Sequence, residues 1–165
     1  DPKTGKQRFF DVHDIYKIAH GKKGELLLST EEGLFSFSKK TDRVTEIKLR
    51  TTARSPMIVL DARFDHDGDL WAATWDEGLV LVKKNDLDQA TGAVKNFTQW
   101  KVGSANPFPD NKLQRLLVAR DNSIWVTGYT LGLCCVDKKT GAFKQFNVKK
   151  GDKNGLSSNY TQWIL

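Results

Sequence analysis

Short apolar runs broken by Gly, Asn, Asp or Thr recur along the chain, and three stretches share one pattern. Gly24-Glu25-Leu26-Leu27 leads to Gly33-Leu34, Gly68-Asp69-Leu70-Trp71 to Gly78-Leu79, and Asn122-Ser123-Ile124-Trp125 to Gly132-Leu133. Runs bounded by turn residues in this way predict strands, and no helical period competes with them. Aligned on Leu27, Trp71 and Trp125, the units lie 44 and 54 residues apart, near the length of a four-stranded propeller blade. A unit of this size buries its apolar face only against a neighbour, so the repeat sets the architecture.

Each first strand shows apolar residues three apart: Val12 and Ile15, Val59 and Ala62, Leu113 and Leu116. A tight turn follows at 20–24, 65–68 and 120–122, where Gly and Asn suit the left-handed backbone of a hairpin. Second strands are expected at 26–29, 70–73 and 124–127, third strands from the Gly-Leu pairs, and fourth strands at 44–49, 93–100 and 142–148. At the ends, Thr4-Gly5 to Phe10 mirrors Thr140-Gly141 to Phe146, so 1–10 reads as the last strand of a preceding blade. Residues 159–165 read as the first strand of a following one. The expectation is an all-β chain, a β-propeller fragment of four-stranded antiparallel blades. Its blades fall at 11–49, 50–100 and 101–148, with a linker and one strand at 149–165. Three blades make an arc, so the chain reads as a piece of a longer propeller. The uncovered faces of its end blades predict self-association or pairing with the rest of a parent propeller.

Composition supports this reading: 39% hydrophobic and 10% aromatic residues can supply a core, and the charges are too mixed for disorder. Lys and Arg number 26 against 20 Asp and Glu, a mild bias toward anionic partners. No window approaches a membrane span, so direct membrane insertion is not expected. The lysine pairs Lys39-Lys40, Lys83-Lys84 and Lys138-Lys139 follow third strands and lack interleaved aromatics, which argues against a nucleic-acid partner. They read as charged hairpins that discourage edge-to-edge pairing. Cys134 and Cys135 are strand neighbours pointing to opposite faces, and read as packed thiols without a disulfide between them.

The phrase Asp67-Gly68-Asp69-Leu70-Trp71-Ala72-Ala73-Thr74, then Gly78-Leu79, resembles the two-component regulator propeller repeat, as does Asn154-Gly155-Leu156-Ser157-Ser158-Asn159. The likeness recurs over essentially the whole chain. Leu27, Ala73, Asn122 and Gly128 depart from the pattern without breaking a blade. The resemblance implies the periplasmic sensor region of a bacterial hybrid two-component system, where such propellers lie upstream of a membrane span and a histidine kinase. It also implies a non-catalytic role, with oligosaccharides from polysaccharide breakdown as ligands.

Blade topology places the second-to-third loops on one face of the disc, over the central channel. Trp75 and Tyr129 occupy corresponding places in two such loops, and an exposed ring there can stack on the C–H face of a sugar or fold back over the blade edge. Asp76, Glu77 and Arg54 are candidates to grip hydroxyls or a carboxylate. Asp14, Asp61, Arg115 and Trp163 align on successive first strands, either as channel-lining ligand contacts, with Asp61 and Arg115 foremost, or as a polar network between blades.

Asp65-His66-Asp67-Gly68-Asp69 lacks the EF-hand's Gly and Glu, having Leu70 and Asp76 at the sixth and twelfth positions, and reads as a hairpin turn. His13, His20 and His66 lack metal-ligand spacing, and no nucleophile elbow or phosphate loop is present. No catalytic residue, metal or cofactor is therefore expected. A protein-interaction scaffold is the alternative function, and a polysaccharide lyase or hydrolase the lesser one.

Overall fold

The computed structural model describes residues 5, 9–50, 56–152 and 155–164. They form three four-stranded antiparallel sheets, each in simple sequence order. Blade 1 comprises β1 (Ile15–His20), β2 (Leu26–Thr30), β3 (Gly33–Ser38) and β4 (Arg43–Ile47). Blade 2 comprises β5 (Val59–Phe64), β6 (Leu70–Thr74), β7 (Leu79–Val82) and β8 (Thr98–Trp100). Blade 3 comprises β9 (Leu113–Val118), β10 (Ile124–Gly128), β11 (Gly132–Val136) and β12 (Phe143–Phe146). The innermost strands are neighbours, β1 beside β5 and β5 beside β9, so the blades fan about a common axis.

Strand alternation explains how blade 2 holds the arc together. Leu70 and Ala72 of β6, with Val80 and Val82 of β7, pack against Leu27, Leu34 and Ile47 of blade 1. The intervening Trp71, Ala73, Leu79 and Leu81 pack against Leu113, Leu116, Ile124 and Val126 of blade 3. A sheet covered on both faces needs apolar residues at every position rather than at alternate ones, which is why β6 and β7 read LWAAT and LVLV. Trp71 is 0% exposed and stacks on Trp100, ring centroids 5.7 Å apart. Trp125 is half-buried on the far face of blade 3, stacked on Phe146. The two indoles thus belong to different layers, as blades require.

Several boundaries differ from expectation. The first strand of blade 1 begins at Ile15, so Ile15 and Ile18, not Val12 and Ile15, correspond to Val59 and Ala62. The fourth strand of blade 2 is only Thr98–Trp100, because 83–97 forms an insertion clasped by the Leu87–Val94 bridge. Leu87, Val94 and Phe97 cover the seam between blades 1 and 2, so the insertion adds core where a longer strand would have added edge. The expected first strand of a following blade has no ladder at 159–164, yet it lies along blade 3. Gly132 N–H donates to the Asn159 carbonyl (2.9 Å), and the Thr161 hydroxyl donates to the Gly132 carbonyl (2.6 Å). The expected strand at 1–10 falls mostly outside the described residues; Phe10 packs on Phe37 with centroids 5.0 Å apart.

Gly78 shows why the Gly-Leu pair marks each third strand. Its φ is +70°, its N–H donates to the Asn111 carbonyl, and an added Cβ would meet the Trp100 carbonyl oxygen. Gly78→Ala is therefore expected to cost about 2 kcal/mol and lower the melting midpoint by roughly 4–8 °C. An unchanged thermal melt by circular dichroism would contradict that account.

The face opposite the loop carrying Trp75 holds the lysine pairs, but Lys138 is not a free edge charge. Its ammonium, with the side chain only 16% exposed, meets Asp65 at 2.6 Å, Asp69 at 2.7 Å and Asp67 at 2.9 Å. Lys83 also reaches Asp69, at 3.2 Å. The aspartate hairpin is the turn expected of it, and a lysine from the neighbouring blade satisfies its carboxylates. Asp65 also accepts from the backbone N–H groups of Asp67 and Asp69 and from the Trp71 indole. Cys134 lies buried in the blade 2–3 core and Cys135 half-buried on the other face of β11. Burial pushes the Cys134 thiol up to about 12.

Candidate functional site

One irregularity, repeated in every blade, builds the candidate site. Near the start of each first strand the register slips by one residue, leaving Tyr16, Leu60 and Gln114 unpaired while Lys17, Asp61 and Arg115 resume the ladder against Ser29, Ala73 and Thr127. A bulge of this kind re-aims side chains and is common beside sites. Tyr16, Leu60 and Gln114 all line one cavity of about 490 Å³. The same cavity takes Gln162 and Trp163 from the unladdered segment. Matching backbone bonds, Gly78 N–H to Asn111 and Gly132 N–H to Asn159, place Trp163 at the position of Arg115 on the next repeat.

The opposite wall comes from the second-to-third loops. Glu31, Trp75 and Tyr129 each directly follow a second strand, and all three line the cavity. Trp75 and Tyr129 are held alike: the Trp75 N–H donates to the Ile58 carbonyl (3.0 Å) and the Tyr129 N–H to the Lys112 carbonyl (3.0 Å). Their rings meet edge to face at 5.0 Å, and Tyr129 continues to Tyr160 at 5.0 Å. The phenol of Tyr129 has its pKa raised, first by its hydrogen bond to Tyr160. Tyr16 is also raised, by desolvation first and then by the charges of Glu31 and Asp14.

Cations cap the indoles. Lys112 Nζ lies 5.3 Å from the Trp75 ring, while Lys17 Nζ and the Arg115 guanidinium lie 5.0 and 4.9 Å from the Trp163 ring. Arg115 donates to the Gln114 carbonyl at 2.8 Å and the Leu60 carbonyl at 3.4 Å, so its position is set by the backbone of two blades. Trp163 remains 63% exposed.

The structure thus brings together Trp75, Tyr129, Arg115 and Trp163 from the sequence-derived set, and places Asp61, Asp14, Glu77 and Asp76 off the cavity lining. Asp61 is 0% exposed and does not line the cavity. It accepts from the Leu116 N–H at 3.2 Å, lies 3.6 Å from Arg63, and so ties blade 2 to blade 3. Desolvation raises its pKa despite the nearby Arg63. Asp14 is not the equivalent of Asp61: the first strand of blade 1 begins at Ile15, the counterpart of Val59, so Lys17 takes that place and Asp14 precedes the strand at φ +48°. Glu77 turns to the blade edge, paired with Lys101 at 2.9 Å and accepting from Gln99 at 2.8 Å. Burial opposes its ionisation, but those two bonds hold its carboxyl below the usual range. Asp76 is exposed and is not among the lining residues. Arg54 lies outside the described residues. Sequence reading did not select Tyr16, Gln114, Gln162 or Glu31 as site residues, although Glu31 is visible in hindsight as the residue aligned with Trp75 and Tyr129.

Chemically the cavity offers aromatic planes, two amides, one phenol on each side and one cation. Among the described lining residues the only carboxylate is Glu31, and there is no imidazole or thiol. No group of His, Cys, Asp and Glu suited to a metal occurs among the described residues. Such equipment has both apolar planes and hydrogen-bonding edges to present to a ligand.

Fold and cavity together define a β-propeller segment with an aromatic-lined site at the axial end of its blades. No family model and no curated protein matches the chain. Among solved structures, it is similar to the extracellular domain of a protein from B. thetaiotaomicron described as a hybrid two-component system, with a TM-score of 0.70 and 20% identity over 95% of this chain and 22% of that one. A second extracellular domain from the same organism, described as that of a one-component system, gives 0.67 and 17% over 88% and 18%. Virginiamycin B lyase from Staphylococcus aureus gives 0.60 and 14% over 82% and 41%. The chain therefore spans less than half the length of each of these proteins. At such identities the likeness establishes the propeller fold, which sensor domains and a lyase share.

Proposed function

We propose that this chain is part of an extracytoplasmic sensor propeller of a two-component signalling protein, related to the two-component regulator propeller repeats, and that its cavity binds oligosaccharides without catalysing a reaction on them. The observation that carries this reading is the placement of Trp75, Tyr129, Tyr16 and Trp163 around one open cavity of about 490 Å³ with amide and carboxylate edges. Flat apolar rings beside hydrogen-bonding groups match the two kinds of surface on a sugar. The structural likeness to extracellular domains of signalling proteins supports the sensor role, and the lone lining carboxylate weighs against a lyase or hydrolase.

No helix among the described residues is long and apolar enough to cross a membrane. The exposed Ile15 and Ile18 on blade 1, and Phe143 and Val148 on blade 3, support pairing with further blades or with another copy of the chain.

A glycan array, followed by titration calorimetry of the hits, tests the proposal. Trp75→Ala is expected to weaken saccharide binding at least tenfold with little change in the melting midpoint, since its ring is only half-buried. Absence of any retained saccharide would overturn the reading. Retention of a protein partner that is lost on changing Trp75 and Tyr129 would favour the interaction scaffold instead.

A further inference from the structure

We propose, on the reading that the cavity takes saccharides, that it selects acidic ones and holds them in one orientation, with an anionic substituent at Arg115 and Lys17 and hydroxyls at Glu31. The charges around the cavity are not mixed evenly. Lys17 and Arg115 both lie within about 5 Å of the Trp163 ring, and Lys112 stands over Trp75. The carboxylates Glu31 and Asp14 act together on Tyr16, at the blade 1 wall. Asp61, the remaining acid near the axis, is fully buried beside Arg63 and presents nothing to the cavity.

The buried Asp61, whose ion-pair partner is Arg63, also feels the charges of Lys17 and Arg115, but no ion pair among the described residues ties up Arg115, Lys17 or Lys112. Arg115 satisfies Nη1 on two carbonyls, while its buried Nε has no hydrogen-bond partner. A guanidinium anchored through Nη1 and bounded by an aromatic plane can offer Nη2 to a carboxylate or sulfate as a charge-assisted donor. Cations already seated on the indole faces also repel a basic ligand such as an amino sugar with a free amine. Neutral sugars would gain the stacking and lose the charge-assisted bonds. A uronate or sulfated sugar gains both.

Matched pairs test this on the full chain: oligogalacturonides and their methyl esters, which keep size and stacking face but lose the charge. A neutral cello-oligosaccharide series completes the panel. The acidic member is expected to bind about tenfold tighter at low ionic strength, and the gap should narrow as salt rises. Arg115→Gln and Lys17→Gln are each expected to shrink the acidic-over-neutral preference; Lys17→Gln keeps the result interpretable if Arg115→Gln disturbs the blade 2–3 contact. Equal or tighter binding of the neutral members overturns the acidic selectivity and leaves the saccharide reading standing. A preference unchanged in both variants overturns the assigned residues. Failure of every saccharide to bind overturns both proposals.

Discussion

Trp71→Ala is expected to destabilise the protein by about 3–5 kcal/mol, the largest effect of any single truncation in the chain. The indole is fully buried, stacked on Trp100 at 5.7 Å, and its N–H donates to Asp65 at 3.0 Å. Removing it leaves a cavity between blades 2 and 3 and also deprives a buried carboxylate of a donor. Because blade 2 holds blades 1 and 3 on its two faces, the loss should appear as one cooperative transition at lower denaturant. Trp71→Phe refills most of the space but cannot supply the donor, so it should recover part of the stability. Urea unfolding followed by far-ultraviolet circular dichroism measures both. A Trp71→Ala midpoint within error of the parent would show that the blade 2–3 core is not as packed as the structure has it.

The second large effect belongs to Lys138. Replacing it with Met removes the ammonium bonded to all three hairpin aspartates and should cost about 2–4 kcal/mol at neutral pH. Most of that is the cost of leaving partly buried carboxylates near one another without the counter-charge; the exposed Asp67 contributes little.

The pH dependence separates this cause from simple loss of packing. Desolvation opposes ionisation of Asp69, but hydrogen bonds from Lys138, Lys84 and Lys83 hold its carboxyl below the usual range. The Lys138 bond depresses Asp67 likewise. A carboxyl depressed in the folded state contributes stability that is full above its unfolded value, about 4, and is lost as pH falls through the folded value. Desolvation works against the charge on Lys138, yet bonds to Asp65, Asp67 and Asp69 raise its pKa above the ordinary lysine value. Its contribution is therefore full below about pH 10 and fades only at higher pH. The contribution of this cluster should be flat from roughly pH 5 to 9. The gap between parent and Lys138→Met should close as pH drops below about 4, where protonation removes the repulsion. A gap that is the same at pH 7 and pH 3 would assign the effect to packing.

Much of the architecture is legible in short range. The three repeats, the hairpin turns and the Gly-Leu pairs locate most strands to within a few residues, because pleat alternation and turn chemistry act over only a few positions. The correspondence of Trp75 with Tyr129 was visible for the same reason: both follow a second strand by one residue, and the blade carries both to one face. The fourth strand of blade 2 is shorter than the 93–100 expected from its turn and apolar residues, because Val94 and Phe97 go to the blade 1–2 seam instead of extending the ladder.

Repeat spacing alone determines that strands pair in fours and that the second-to-third loops crowd one end. Contact between blades decides the remainder. The first strand of blade 1 starts three residues later than the Val12–Ile15 spacing suggests, which puts Lys17 rather than Asp14 at the axis; Ile15 and Ile18 have the same spacing, so local pattern alone does not choose between the two alignments. Lys138 finds its aspartates some 70 positions away in sequence, and Asp61 meets Leu116 across a blade boundary. Pleat and turn preferences are written in adjacent residues, whereas desolvation, charge pairing and cavity shape depend on which surfaces the folded blades press together.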